Sequence, residues 1–274
     1  MLTRKLLINS LNNIVLFLIS LIYIIPLWMV IVNSFSNRRE AALFSLNLPS
    51  EWLFENYIIV FQNANVLRSM ANGLLYGVVS CLVAILVSSA ASFVLQRRNT
   101  KGCKRIYMLF MVGLVLPLSI IPTIVLTQRL GIYGTYFNMI SLYIAFNIPL
   151  CVLMYYNFMS TIPRSLDEAV TIDGGRPYQL FFYVIFPLLK PVSFTITLLV
   201  FTGIWNDFFF QLFFVRSSAM WSMPMTIFGF FGRFGSEWNL VSANIILGVI
   251  PILIIFIAFQ KQIVDSLVAG SIKG

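Results

Sequence analysis

The chain has 274 residues, of which 59% are hydrophobic and only 10% charged, with a formal net charge of +9 and no histidine. Soluble domains run at roughly 45–50% apolar and about 25% charged, so a water-surrounded globular enzyme is excluded. The missing histidine removes the commonest general base and metal ligand.

Six runs of about 20 apolar residues match the hydrocarbon thickness of a bilayer. They fall at 12–33, 72–95, 106–127, 137–159, 192–214 and 242–260. They predict an all-α integral membrane protein with six transmembrane helices. Arg4 and Lys5 precede the first run, as in a signal peptide. The run is too long for that, and no small-x-small site follows it, so it reads as a retained span. The outer segment 34–70 carries Pro49, Trp52, Phe54 and Tyr57, which suit either an interfacial ledge or contact with a partner.

The placement of the basic residues sets an orientation and argues against nucleic acid. With the N-terminus inside, the inner segments hold Arg4, Lys5, Arg97, Arg98, Lys101, Lys104, Arg105, Arg164, Arg176, Lys190, Lys261 and Lys273. The outer segments hold only Arg38, Arg39, Arg68, Arg129, Arg216 and Arg233. That asymmetry obeys the positive-inside rule and predicts cytoplasmic termini. The 97–105 cluster is a topology anchor, with anionic headgroups as a secondary partner.

Pro117 and Pro122 interrupt the third run and Pro149 the fourth; they are either kinks that shape a cavity or purely structural. Gly131 and Gly134 mark a tight outer turn. No internal repeat is evident, which disfavours an inverted-repeat secondary transporter.

Between the fourth and fifth runs, Pro163 stops one helix, and Ser165 to Glu168 has capping-box spacing for the next. Leu166, Ala169 and Val170 then share a face. Gly174 and Gly175 end this short helix, and Pro177 opens another. Leu180, Phe181, Val184 and Ile185 give it an apolar side, and Pro187 is expected to end it. Broken backbone and ionised side chains are untenable against lipid, so 160–191 reads as an elbow outside the membrane.

Asp207 is the one ionisable residue at membrane depth, where an acid costs roughly 2.5–3.5 kcal/mol. It belongs either to a polar solute pathway with Trp205, Asn206 and Asn147, or to a contact with a neighbouring chain near the outer mouth. Residues 215–241 form a re-entrant or surface loop, which either meets a solute-delivering partner or lies passively at the interface. Cys81, Cys103 and Cys151 form no metal or disulfide pattern, and no G-x-x-x-x-G-K-[ST] is present, so ATP is not bound through a P-loop.

Glu168-Ala169, Asp173-Gly174-Gly175, Ile185-Phe186-Pro187 and Lys190-Pro191 together resemble the EAA loop of bacterial ABC-importer permeases. The likeness extends over almost the whole chain, towards the maltose-permease G-type subunits of the carbohydrate branch. It includes Asn56-Tyr57, Asn72-Gly73-Leu74, Trp205-Asn206-Asp207, residues 238–243, Pro251 and residues 269–274. Gly73 stands where the family usually has serine, and Gly175 where alanine is common.

The resemblance implies a type I ABC-importer permease fold in a bacterial cell membrane. The divisions would be residues 1–67 (first helix and outer segment), 68–260 (transmembrane domain) and 261–274 (cytoplasmic tail). It implies a second, homologous permease in a heterodimer, two ATP-binding subunits that use ATP and Mg, and an extracytoplasmic solute-binding protein. The chain itself would bind no cofactor and catalyse nothing. Glu168, Ala169, Asp173, Gly174 and Gly175 would couple to an ATPase, and Gly270, Ser271, Ile272, Lys273 and Gly274 would touch it. The solute is expected to be a sugar or oligosaccharide. A non-sugar solute, a stand-alone secondary transporter and a channel are the alternatives.

Overall fold

The computed structural model describes residues 2–232 and 235–271. The helices in chain order are α1 (Leu2–Phe35), α2 (Arg38–Ala41), α3 (Glu55–Asn63), α4 (Val66–Arg98), α5 (Lys101–Val115), α6 (Ile120–Arg129) and α7 (Tyr136–Met159). There follow α8 (Ser165–Ile172), α9 (Pro177–Gln179), a π-turn (Leu180–Ile185), α10 (Phe186–Leu188), α11 (Lys190–Trp205), α12 (Phe209–Phe214), α13 (Met223–Thr226) and α14 (Trp238–Ser271). Two-residue strands β1 (Phe231–Gly232) and β2 (Gly235–Ser236) pair antiparallel in the last loop.

Four helical stretches among the described residues are long and apolar enough to cross a membrane: Val15–Phe35, Val66–Arg98, Tyr136–Met159 and Trp238–Ile257. The other two expected spans are both broken. The run 106–127 breaks between α5 and α6 with a 116° turn. Leu116 is forced into an extended conformation, φ −72° and ψ 126°, because the ring of Pro117 disfavours a helical residue before it. Pro122 sits in the first turn of α6, where its missing N–H costs nothing. Pro149 stays inside an unbroken α7.

The run 192–214 is not one helix either. α11 begins earlier, at Lys190, and ends at Trp205; α12 restarts at Phe209, leaving Asp207 in the break. A 71° bend separates Pro177–Leu188 from α11. Pro187 therefore does not end the second elbow helix; the chain turns after Leu188 instead.

The chain divides into two compact units. The first gathers 1–69 and 223–251, the second 70–222 and 252–274. In the first, Asn56 acts as a clamp. Its Nδ2 donates to the carbonyls of Ser34 (3.0 Å) and Ser36 (2.9 Å), and its Oδ1 accepts from Asn239 Nδ2 at 2.9 Å. Tyr57 and Ser34 share a hydroxyl hydrogen bond of 2.7 Å. The rings of Trp52, Phe54 and Tyr57 surround Phe35 at 5.1–5.3 Å. The end of α1 is thereby tied to α3 and α14.

In the second unit, α4 presents Ser80, Ala84, Ser88 and Ser92 on one face, all fully buried. Small residues let helices approach closely where no water drives them together. Ser92 Oγ reaches the Val152 carbonyl of α7 at 3.1 Å. Nearer its start, α4 meets α11: a Cβ added at Gly77 would lie 2.7 Å from the Phe201 ring, and one at Gly73 3.1 Å from Trp205. Glycine at position 73 thus fits the bulk of Trp205. Asn72 donates to the carbonyls of Ala219 (3.0 Å) and Trp221 (2.9 Å) and accepts from Tyr136 at 3.1 Å. With Tyr76 donating to Met220 (2.9 Å), it pins the loop after α12.

Candidate functional site

The elbow begins where Pro163 follows α7. α8 starts at Ser165, but Arg164 is its N-cap and no side chain caps it. The expected capping box is therefore not formed. Ser165 lies one position inside the helix, at its first residue. Glu168 is consequently not engaged in a cap, and it is exposed together with Ala169.

The other end of α8 closes as the sequence predicts. Gly174 takes φ +76°, a region open to glycine and costly for residues with a Cβ. Its N–H donates to Thr171 O (3.1 Å), and the Gly175 N–H donates to Val170 O (2.8 Å). These two bonds make a Schellman motif with Gly174 at C′. A Cβ at Gly175 would come within 2.9 Å of that Val170 carbonyl, so alanine here requires the backbone to shift. Asp173 is the exposed C-cap.

Pro177 opens α9, and the Gln179 Oε1 accepts from the Arg176 N–H at 2.7 Å. The π-turn then buries Leu180, Phe181 and Ile185 in the core of the second unit. Val184 is partly buried against the same core. The outward side of the elbow carries Ile172 (85% exposed), Tyr183 (75%) and the exposed Tyr178 and Phe182. The face expected at Leu166, Ala169 and Val170 is only partly inward: Val170 packs against the core, while Leu166 and Ala169 are exposed.

One anchor was not legible beforehand. Arg97 Nε lies 2.8 Å from Asp167 Oδ2, and both side chains are largely buried. Arg97 also donates to the Ile162 carbonyl at 3.2 Å, and Arg164 to the Gln96 carbonyl at 3.4 Å. Asp167 and Val170 thus hold α8 down while Glu168, Ala169 and Ile172 face outward. Alternating inward and outward contacts on a two-turn helix make a projecting surface on a fixed mount.

Two of the residues singled out, Asp207 and Asn147, meet at Tyr143, which sequence alone did not mark. Tyr143 donates to Asp207 Oδ2 at 2.7 Å, and its carbonyl accepts from Asn147 Nδ2 at 2.8 Å. Asp207 Oδ1 also accepts from the Phe210 N–H (3.2 Å), and its carbonyl from Gln211 Nε2 (2.9 Å). Gln211 Oε1 in turn accepts from the Ser222 N–H at 2.8 Å. Trp205 is only 2% exposed and lies parallel to Phe201. Asn206 is exposed as the C-cap of α11. Asp207 and Asn147 are therefore joined through Tyr143, Asn206 is exposed at the break, and Trp205 is buried against Phe201.

At the C-terminus, the backbone of Gly270 and Ser271 closes α14, and Ile272, Lys273 and Gly274 lie outside the described residues. No group of three or more His, Cys, Asp or Glu arranged to hold a metal occurs among the described residues.

Comparison with known proteins agrees with this geometry. The fold is similar to that of a chain in the crystal structure of a bacterial ABC transporter involved in the import of the acidic polysaccharide alginate. The TM-score is 0.79 at 22% identity, over 93% of this chain and 96% of the other. In sequence, the chain is 31% identical to the probable starch degradation products transport system permease protein AmyC of Thermoanaerobacterium thermosulfurigenes, over 93% of each. It is 30% identical to the melibiose/raffinose/stachyose import permease protein MelC of Bacillus subtilis, over 92% of each. Residues 85–268, which include the elbow and the Asp207 break, match the model of the binding-protein-dependent transport system inner membrane component, and the chain belongs to that family of transporter permeases.

Proposed function

We propose that this chain is one of a heterodimeric pair of permeases importing a sugar or oligosaccharide, and that the α8 elbow docks an ATP-hydrolysing subunit. The elbow carries the proposal: Glu168 is exposed and engaged in no cap, beside exposed Ile172, on a helix held by Asp167 and closed by Gly174. A projecting carboxylate with an apolar neighbour suits a groove on a partner that offers a cation and an apolar pocket. Glu168, Ala169, Asp173, Gly174 and Gly175 form the coupling element, with residues 270–274 as a second contact. ATP and Mg are used by the partner subunits.

The excess of basic residues in the inner segments supports an orientation with both termini and the elbow in the cytoplasm. An extracytoplasmic binding protein then delivers solute to the opposite face. The names of the similar permeases, which refer to starch products and to raffinose-type sugars, support a carbohydrate as cargo. Asn147, Trp205, Asn206 and Asp207 are proposed to line the pathway.

Coupling requires the nucleotide-bound ATPase to favour one global state of the permease pair, because a contact equal in both states shifts nothing. The test is the Glu168→Ala permease, assembled with its partners in proteoliposomes. Solute-stimulated ATP hydrolysis is expected to fall while membrane insertion persists. Stimulated hydrolysis at the unaltered level would overturn the assignment of the elbow.

A further inference from the structure

The elbow carries a second surface beyond α8. Along 177–188, Leu180, Phe181 and Ile185 are buried in the core of their unit, and Leu189 follows them fully buried. Tyr178, Phe182, Tyr183 and Leu188 make the opposite stripe, all exposed, Tyr183 by 75%. Steps of about four to five residues keep each stripe on its own side of a helix that passes through a π-turn. A helix on a protein surface ordinarily turns polar and charged residues outward. This one is apolar or aromatic on both stripes, so its outward stripe faces something other than bulk water.

The bend into α11 identifies that surrounding. Together the two pieces are apolar enough for one span, yet 71° separates Pro177–Leu188 from Lys190–Trp205. Membrane helices tilt on average about 20° from the bilayer normal, so a segment bent by 71° from one lies within roughly 40° of the bilayer plane. It joins α11 directly and therefore runs along the membrane surface where that helix enters. The headgroup layer is wet, so the irregular backbone of the π-turn is tolerated there, as it would not be in the hydrocarbon.

The side chains fit the same level. Arg176 and Lys190 bracket the segment and are both exposed. Neither forms an ion pair among the described residues, which leaves both charges for an anion from outside the chain. Tyrosine gathers at the membrane–water interface, and cations beside a span meet lipid phosphates.

We propose that the outward stripe of 177–188 lies on the membrane surface and binds phospholipid. The rings of Tyr178, Phe182 and Tyr183 sit among headgroups and upper acyl chains, and Arg176 and Lys190 meet the phosphates. Lipid contact then sets the depth from which α8 projects. Only the crossing of the membrane by α11 is needed for this, so it does not depend on α8 docking an ATPase.

The test is photocross-linking in the transporter assembled with its partners, in proteoliposomes of phosphatidylethanolamine and phosphatidylglycerol in equal parts. The photoreactive aromatic p-benzoylphenylalanine replaces Tyr178, Phe182, Tyr183 or Ile172 in turn; all four are exposed, so the larger ring has room. After irradiation, the permease is expected to gain the mass of one phospholipid from the first three positions, in higher yield than from position 172. Each juxtamembrane cation attracts anionic lipid roughly fivefold, so Arg176→Gln with Lys190→Gln should lower the phosphatidylglycerol share of the adducts by at least about that factor. Cross-links from the three aromatic positions to an ATPase subunit or to the second permease, no lipid adduct at any of them, or an unchanged phosphatidylglycerol share would overturn the proposal. An ATPase adduct at position 172 tests the docking of α8 on its own, so either reading can fail while the other stands.

Discussion

Arg97, in the last turn of α4, and Asp167, in the first turn of α8, form an ion pair of 2.8 Å with both side chains largely buried. A mostly desolvated pair contributes little net stability, but removing one partner leaves an uncompensated charge and costs roughly 3 kcal/mol. Asp167→Ala is therefore expected to lower the melting temperature of the purified permease more than Glu168→Ala, whose side chain is exposed. Arg97→Asp combined with Asp167→Arg should recover part of the loss. A thermal-unfolding series on the four proteins checks this, and equal melting temperatures for the two single alanine variants would contradict it.

Gly174 supplies a second test. Its φ of +76° penalises a residue with a Cβ by about 1–2 kcal/mol, although asparagine is the usual second choice at this position. Gly174→Val should weaken co-purification of an ATPase subunit with the permease. Gly174→Asn should leave it close to normal. Since nothing lies within 4 Å of a Cβ added there, a defect in the valine variant reports backbone conformation and not a clash.

Gly77 makes the opposite kind of prediction. An alanine in a helix is ordinarily favoured over glycine by about 1 kcal/mol, yet here its Cβ would lie 2.7 Å from the Phe201 ring. Gly77→Ala should destabilise the protein by roughly 1–3 kcal/mol, the usual penalty of overpacking. Phe201→Leu in the same chain should relieve it. Guanidinium-free thermal unfolding in detergent reads the sign directly.

The Tyr143–Asp207 hydrogen bond separates a structural role from a transport role. Tyr143→Phe deletes one charge-assisted bond, worth about 1.5–3 kcal/mol, without altering the volume of the core. If Asp207 lines the pathway, Asp207→Asn should raise the half-saturation concentration for solute uptake, with little change in basal ATP hydrolysis of the assembled complex. A fall in thermal stability with unchanged uptake affinity would assign the carboxylate to holding the α11–α12 break alone.

The apolar runs and the punctuation of the elbow were legible in the sequence because each is a local property. Gly174 ends α8 and Pro177 starts α9 through their own backbone restrictions, whatever surrounds them. The capping box misled because Ser165 and Glu168 have the right spacing in either register. Pro117 and Pro122 marked the third run as interrupted, but the break in the fifth run was hidden: hydropathy records what tolerates lipid, and it does not record where a helix turns.

The sequence by itself determined a membrane-embedded helical chain with a broken elbow between its fourth and fifth apolar runs, since side-chain hydropathy and the φ limits of glycine and proline act on neighbouring residues. Only the tertiary structure decided which partners met. Asn56 with Asn239, Asn72 with the 219–221 carbonyls, Tyr143 with Asp207 and Arg97 with Asp167 are far apart in the chain. A buried polar group must find its complement wherever packing brings one, and that place is set by the whole fold.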